Sequence, residues 1–495
     1  MLANWIVWLV LLLVLLGLVG CSTAHGQNAV VPSAPAANHA GHASIGSQLP
    51  LVTTLPFVVL LSCIAVLPLA YGHWWEKNRN KSIIVAVLSL PLAAYLLWAY
   101  GEPAWHGLLE KLIEYASFII LLASLYVISG GIYVRGSLNG TPLANTGLLG
   151  LGAVIASVIG TTGASVLLVR PLLRANKSRL DKAHIVIFFI FIVSNCGGLL
   201  TPLGDPPLFM GFLKGVPFEW TLLHLWPQWL AVNLLLLAIF NVWDQITFDR
   251  EEKERAGSQL EEVMKHEPFG VSGMLNFVFL AGIVATIFCA GNGYLVSQDG
   301  KYYQEGLMVL LAVAAYFTTN PANRASNKFT WGPILEVAIL FIGIFITMAP
   351  ALLILNAWGQ NGRPDLGRLP LERPWHFFWA SGILSSFLDN APTYMTMAAT
   401  ACGLQGVTAG NEPYLREFLT KGPAAVNLLV AISCGSVFMG ANTYIGNGPN
   451  FMVKAIAEEN GVKMPSFFGY MAYSGAVLIP IFLVLTIAMM MLGGW

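Results

Sequence analysis

Three carboxylates stand where a carboxylate is expensive. Asp205 lies in Thr201-Pro-Leu-Gly-Asp-Pro-Pro-Leu-Phe209, Asp389 in Ser386-Phe-Leu-Asp-Asn-Ala-Pro-Thr393, and Glu336 in Ile334-Leu-Glu-Val-Ala-Ile-Leu340, each within an apolar run. An ionisable side chain at the depth of a bilayer is a functional hypothesis by default. Taking a carboxylate out of water favours its neutral form, so such a group can trade a proton for a cation near neutral pH. Asp389 carries the stronger expectation as the titrating or cation-binding group. The capping role in its motif falls more naturally to Asn390 or Thr393, which leaves the charge without a structural use. Asn390, Thr393, Thr161, Thr162, Ser165, Asn195, Asn442 and Asn450 supply oxygen ligands suited to a hard cation such as Na⁺. Asp205 reads first as a helix N-cap followed by proline at the first helical position. Any ion role is then added to that. Glu336 is expected to pair with another helix or to face the membrane interface.

These residues need elements that hold them in lipid. The 495-residue chain is 56% hydrophobic and 10% charged, with a mean hydropathy of +0.69. Soluble domains carry roughly a quarter charged residues, so the composition is that of an integral membrane protein. Fifteen Trp, 49 Gly and 27 Pro suit a polytopic bundle with aromatic belts and broken helices. A net charge of zero gives no support to nucleic-acid binding. Cys21, Cys63, Cys196, Cys289, Cys402 and Cys434 show no metal spacing and read mostly as small core residues. Residues 1–20 read as a signal peptide or anchor helix ending in Leu18-Val-Gly-Cys21, which resembles a bacterial lipobox but lacks an upstream Lys or Arg. Residues 21–49 read as a flexible linker outside the cytoplasm, its His25, His39 and His42 solvated.

Apolar runs at 51–71, 82–100, 114–134, 184–203, 220–242, 271–291, 305–318, 332–352, 422–440 and 470–493 are candidate spans. Basic loops belong on the cytoplasmic side. Both 72–81 (Lys77, Arg79, Lys81) and 170–182 (Arg170, Arg174, Lys177, Arg179, Lys182) are basic. Both can be cytoplasmic only if 146–169 dips into the membrane and returns, with its tip at Gly160-Thr161-Thr162-Gly163-Ala164-Ser165. The charged stretch 243–270 is then a solvated cytoplasmic linker between halves. The resulting organisation is 50–135 scaffold, 136–242 first repeat, 243–270 linker, 271–352 scaffold and 353–495 second repeat.

The repeat is visible directly. Gly198-Leu-Leu-Thr-Pro-Leu-Gly-Asp-Pro-Pro-Leu-Phe-Met210 aligns without gaps on Gly440-Ala-Asn-Thr-Tyr-Ile-Gly-Asn-Gly-Pro-Asn-Phe-Met452, an offset of 242 that pairs Asp205 with Asn447. The tip at 160–165 has a counterpart in 386–393 by position, with Asp389 opposite Thr162. The charge pattern sends the two copies in from opposite sides. The fold expected is therefore all-α and polytopic, an inverted repeat with two re-entrant hairpins and two broken helices. Matched Gly/Pro-interrupted segments of this kind point to a transport site near the midplane.

The segments Ser194-Asn-Cys-Gly-Gly-Leu-Leu-Thr-Pro-Leu-Gly-Asp-Pro-Pro-Leu-Phe-Met-Gly-Phe-Leu-Lys-Gly-Val-Pro-Phe218, Ser385-Ser-Phe-Leu-Asp-Asn-Ala-Pro-Thr-Tyr-Met-Thr-Met397 and Gly446-Asn-Gly-Pro-Asn-Phe451 resemble the ion transporter superfamily. The resemblance covers roughly residues 50–495. It looks closest to the branch of bacterial sodium:proton antiporters, arsenite-pump membrane subunits and citrate transporters. The resemblance implies an elevator-like, dimeric carrier of the bacterial inner membrane. Its dicarboxylate members carry Ser-Asn-Thr at both tips, where this chain has Thr161-Thr162-Gly163 and Asp389-Asn390-Ala391. That departure leans toward cation:proton antiport, with Asp389 leading and Asp205 helping. Carriage of a citrate-like anion or an arsenite-type oxyanion, coupled to cations, is the alternative. No resident cofactor or metal is expected, only the transported cation and protons. No nucleophile–base pair points to an enzyme.

Overall fold

A computed structural model describes residues 46–135, 140–254, 270–291, 303–362, 370–409, 413–493 and 495. The expectations on residues 1–45, including Cys21 and the three histidines, lie outside the described residues. The protein is an all-α multi-pass membrane protein: among the described residues, nine helices are long and apolar enough to cross a bilayer. The scaffold comprises α1 (Leu55–Ala70), α2 (Asn78–Tyr100), α3 (Glu102–Ser129), α9 (Leu275–Gly291), α10 (Tyr303–Thr318) and α11 (Gly332–Asn361). The first repeat holds α4 (Pro142–Ile159), α5 (Thr161–Ala175), α6 (Ala183–Ile192), α7 (Pro206–Leu213) and α8 (Phe218–Glu254). The second holds α12 (Pro374–Ser385), α13 (Asn390–Leu404), α14 (Pro423–Phe438), α15 (Gly448–Glu459) and α16 (Phe467–Met491).

Burial sorts these elements. In α6, every residue from Ile185 to Ile192 is at most 1% exposed, as expected of a helix apolar all round and enclosed by protein. By contrast, α2 presents Ile83, Val87, Leu90 and Trp98 outward, the side that lipid covers. The hairpin read at 146–169 is present. Gly160, at φ +81°, is the single break between α4 and α5. The limbs fold back on each other: Asn145 near the start of α4 and Asn176 just past the end of α5 exchange side-chain hydrogen bonds of 2.9 and 2.8 Å. In the second repeat α12 and α13 pack together across the turn 386–389.

The two repeats interlock reciprocally. The half-helix α7 packs on α13 of the second hairpin, and α15 packs on α5 of the first. Each half-helix is preceded by a short 3₁₀ turn, Cys196–Leu200 or Met439–Asn442, and an extended Thr201 or Thr443. Glycine is required at this crossing. A Cβ on Gly204 would lie 2.0 Å from the Gly198 carbonyl oxygen, and one on Gly446 would lie 2.5 Å from that of Gly440.

Two features depart from the sequence reading. The first half of the supposed linker is helix: α8 continues to Glu254, and Asp244 and Glu251 are buried rather than solvated. Arg179 draws them in, its guanidinium bonding Asp244 at 2.8 Å and Glu251 at 3.0 Å, while His184 meets Asp244 at 2.9 Å. A two-stranded antiparallel ribbon, β1 (Tyr133–Arg135) with β2 (Gly270–Ser272), also appears where no strand was expected.

Gly204→Ala should lower the stability of the purified protein by about 1–3 kcal/mol through overpacking. Gly448→Ala meets nothing within 4 Å and should stay within about 0.5 kcal/mol. Thermal unfolding in detergent checks the pair, and equal shifts would remove the close-packed crossing as the reason for glycine.

Candidate functional site

The position of proline in each motif decides what its N-cap side chain can do. An N-cap side chain bonds the N–H of the second or third helical residue. In α7 the second residue is Pro207, which has no N–H, and the third, Leu208, donates to the backbone oxygen of Asp205 at 3.1 Å. In α15 Pro449 and Asn450 repeat this arrangement beneath Asn447, with a 3.1 Å bond from Asn450 N to the Asn447 carbonyl. Asp205 and Asn447 occupy N-cap positions with matching backbone angles (φ/ψ −145°/144° and −148°/141°), yet neither side chain makes a cap bond. In α13 the proline comes one residue later, so Ala391 N is free to bond Asp389 Oδ1 at 3.1 Å.

This overturns the assignment made from sequence. Asp389, not Asn390 or Thr393, is the cap of α13, so its carboxylate has a structural use. Asp205, read first as a cap, is the one released. The register of the tips also changes. Ser157 and Ser386 serve as equivalent partners of the crossing, Ser157 Oγ donating to Gly197 O at 2.5 Å and Ser386 Oγ to Met439 O at 3.2 Å. That sets the tip offset at 229, so Thr161 pairs with Asn390, and Asp389 pairs with Gly160 rather than Thr162.

Asp205 is 1% exposed and gathers both hairpins. Its Oδ1 accepts from Thr161 Oγ1 at 2.9 Å and from Asn447 Nδ2 at 3.3 Å, and its Oδ2 accepts from Asn390 Nδ2 at 2.7 Å. Asn390 is fixed in turn by Ser385 Oγ, 2.5 Å from its Oδ1. Asn447 Nδ2 also reaches Ser194 O and Asn195 Oδ1, each at 3.2 Å. Asn195 Nδ2 donates to Asn450 Oδ1 at 2.7 Å, tying the first unwound stretch to the start of α15, and Ser165 joins through a 2.8 Å contact with Ser194. Each of the three donors to the carboxylate is neutral. A charged group so placed gains about 1.5–3 kcal/mol per hydrogen bond, but these partners bring it no countercharge.

Three expected ligands stand apart from this cluster. Thr393 Oγ1 bonds the Asp389 backbone at 3.0 Å, and Asn442 Nδ2 bonds Ser386 Oγ at 2.8 Å. Thr162 lines a cavity of about 80 Å³ between the first tip and scaffold helices α3 and α11, which Asp205, Thr161 and Gly163 also border. Glu336 pairs with the buried Lys81 of α2 at 2.7 Å, which is the helix-pairing expectation. Sequence reasoning missed Ser385 and Ser194, which orient the amides. It also missed a second set of buried charges. Lys214, at the end of α7, binds Glu114 of α3, which binds Lys111 at 2.7 Å. Among the described residues no group of three or more His, Cys, Asp or Glu could hold a resident metal ion.

The family described as "Putative citrate transport" matches residues 46–490, nearly the whole described chain. The chain belongs to this family. It is also 26% identical to an uncharacterized transporter of Schizosaccharomyces pombe over 186 residues. That match takes in 36% of this chain and spans only one fifth of the relative's length. The resemblance read from the Asp205, Asp389 and Asn447 motifs pointed to a branch that includes this family.

Asp389→Ala should cost about 1 kcal/mol as a lost N-cap, and Asp389→Asn, which caps equally well, only a few tenths. Asp205→Ala should cost more, because it leaves the Asn390 and Asn447 amides short of a buried acceptor at about 1–3 kcal/mol each. Chemical or thermal unfolding ranks the three. Equal losses for the two alanine variants would show that the carboxylates do not differ as described.

Proposed function

We propose that this protein is a secondary active transporter that carries a small carboxylate anion of the citrate type, coupled to cations or protons at Asp205. The observation that carries the reading is the placement of one buried carboxylate among neutral donors from both hairpins and from the second broken helix. A carboxylate there is stabilised either by a proton or by a bound cation such as Na⁺. Exchange between the two, linked to which hairpin partners it holds, is a coupling step. The carboxylate cargo is supported by the family and by the first tip. Helix α5 begins at Gly160 with no side-chain cap, and Thr162 and Gly163 border the cavity. An uncapped helix N-terminus favours an anion.

Cation:proton exchange without an organic cargo is the second reading. The cavity of about 80 Å³ favours it: at roughly 30 Å³ per water in the liquid, it suits a partly hydrated ion. The lipobox-like end at Cys21 supports a bacterial inner membrane as the setting, with basic loops toward the cytoplasm. The family resemblance supports a homodimer.

Proteoliposomes separate the readings. Labelled citrate uptake driven by a Na⁺ or proton gradient is expected, with Asp205→Asn losing at least about a hundredfold and Asp389→Asn staying within about threefold. The former, about 2.7 kcal/mol, is the loss of one essential charged interaction. Collapse of a proton gradient by Na⁺ or Li⁺ with no organic anion would establish the second reading instead. Full activity in Asp205→Asn would overturn both.

A further inference from the structure

The small cavity beside Asp205 adjoins a much larger one. The two share Tyr126 and Pro333 in their walls, and the larger encloses about 660 Å³. The same helical faces run through both. On α3, Leu122 and Tyr126 border the first, and Tyr126 and Ser129 the second. On α5, Gly163 borders the first, and Val166 and Arg170 the second. Spacings of three, four and seven residues keep these side chains on one stripe of each helix. Arg170 stands nine residues after Thr161, about 14 Å farther along α5 at 1.5 Å per residue.

The charges of the larger cavity are Arg170, Lys328 and Glu459. Lys328 and Glu459 face each other at 3.7 Å, so Arg170 leaves the wall net positive. The nearby Arg174 spends its guanidinium on the Val134 carbonyl at 2.8 Å. Among the described residues, Lys328 is also the non-glycine residue with positive φ, at 49°. Such strain persists where surroundings over-determine it, and it gathers at binding sites and switches. Here Asn327 does the fixing, bonding the carbonyls of Gly130 and Ile132 at 2.9 and 2.7 Å.

We infer that the cargo reaches Asp205 from this larger cavity, along the stripe shared by α3 and α5, and that Arg170 is the side chain that selects negative charge on the way. The inference rests on the anion-carrying reading above for its cargo, but its geometry can be tested without any cargo. Arg170 is a specificity-determining residue on the path and does not touch Asp205.

The test places a cysteine at Val166 in the reconstituted full-length protein and measures methanethiosulfonate labelling above that of the parent. Buried Cys196, Cys402 and Cys434 stay silent. A membrane-impermeant reagent should label Val166→Cys from the face that bears residues 176–182 and not from the other. A sulfonate reagent should react faster relative to an ammonium reagent, and Arg170→Gln should lower that ratio about fivefold or more, as expected when a local charge no longer concentrates anions. Arg170→Lys should keep the ratio and controls for misfolding. Labelling from the opposite face only, or from neither, would overturn the path. An unchanged ratio in Arg170→Gln would overturn the selecting role. Failure of citrate uptake with the labelling pattern intact would reject the cargo and leave the path standing.

Discussion

One carboxylate holds the centre of this protein together. Asp205 accepts hydrogen bonds from Thr161 at the first hairpin tip, Asn390 at the second and Asn447 at the second broken helix. These donors belong to elements far apart in sequence, so the carboxylate fixes how the two repeats meet. Its environment is the reverse of a stable buried salt bridge. In the Arg179–Asp244–Glu251 cluster opposite charges meet and the carboxylates have a fixed partner. At Asp205 the hydrogen-bond donors are neutral and bring no countercharge.

What frees Asp205 for this role is the placement of proline. Both broken helices put proline at their second helical residue, which removes the N–H that an N-cap side chain would use, while the backbone oxygen takes the next one. The side chain is left at a helix start with no local bond and must find partners elsewhere. In α13 the proline follows one residue later and Asp389 stays bound to its own helix. A shift of one position thus separates a carboxylate that caps its own helix from one that bonds distant elements, in two motifs that look alike in sequence.

This explains what was legible beforehand and what was not. Eight of the ten spans were legible because lipid demands long apolar runs, whereas the described helices α9 and α10 are shorter than a span; the first hairpin was legible because Arg170, Arg174, Arg179 and Lys77 cannot all face the cytoplasm without it. The broken helices showed in the matched glycines, since Gly198/Gly204 and Gly440/Gly446 cross too closely for any Cβ. The tip register was not legible, because no residue identity anchors 160–165 on 386–393; only the bonds of Ser157 and Ser386 do. The extension of α8 past residue 242 was hidden by its charges. Asp244 and Glu251 look solvated in sequence, and it is the distant Arg179, His184 and Asn145, with backbone N–H groups at 180–181, that make their burial tolerable. Lys214 and Glu114 were missed for the same reason, since their burial rests on each other and on Lys111 and Glu110.

The repeats are therefore equivalent in backbone at their broken helices, unlike at their hairpin tips, and unlike in charge. The first has a carboxylate at its broken helix and glycine, Gly160, at its tip. The second has Asn447 at its broken helix and a carboxylate, Asp389, at its tip. Each exchange removes a conflict. A carboxylate in place of the Asn447 amide would stand 3.3 Å from that of Asp205, and the two could not both stay ionised at a modest cost. At the first tip Gly160 takes φ +81°, a backbone conformation that disfavours any side chain, so no carboxylate stands at the start of α5 beside the cavity. As it stands, the first tip presents a helix end with no side-chain cap, its Thr161 N–H on the Gly204 carbonyl at 2.9 Å, beside a carboxylate whose donors are neutral. Charges of opposite sign placed at the two would each lower the cost of holding the other.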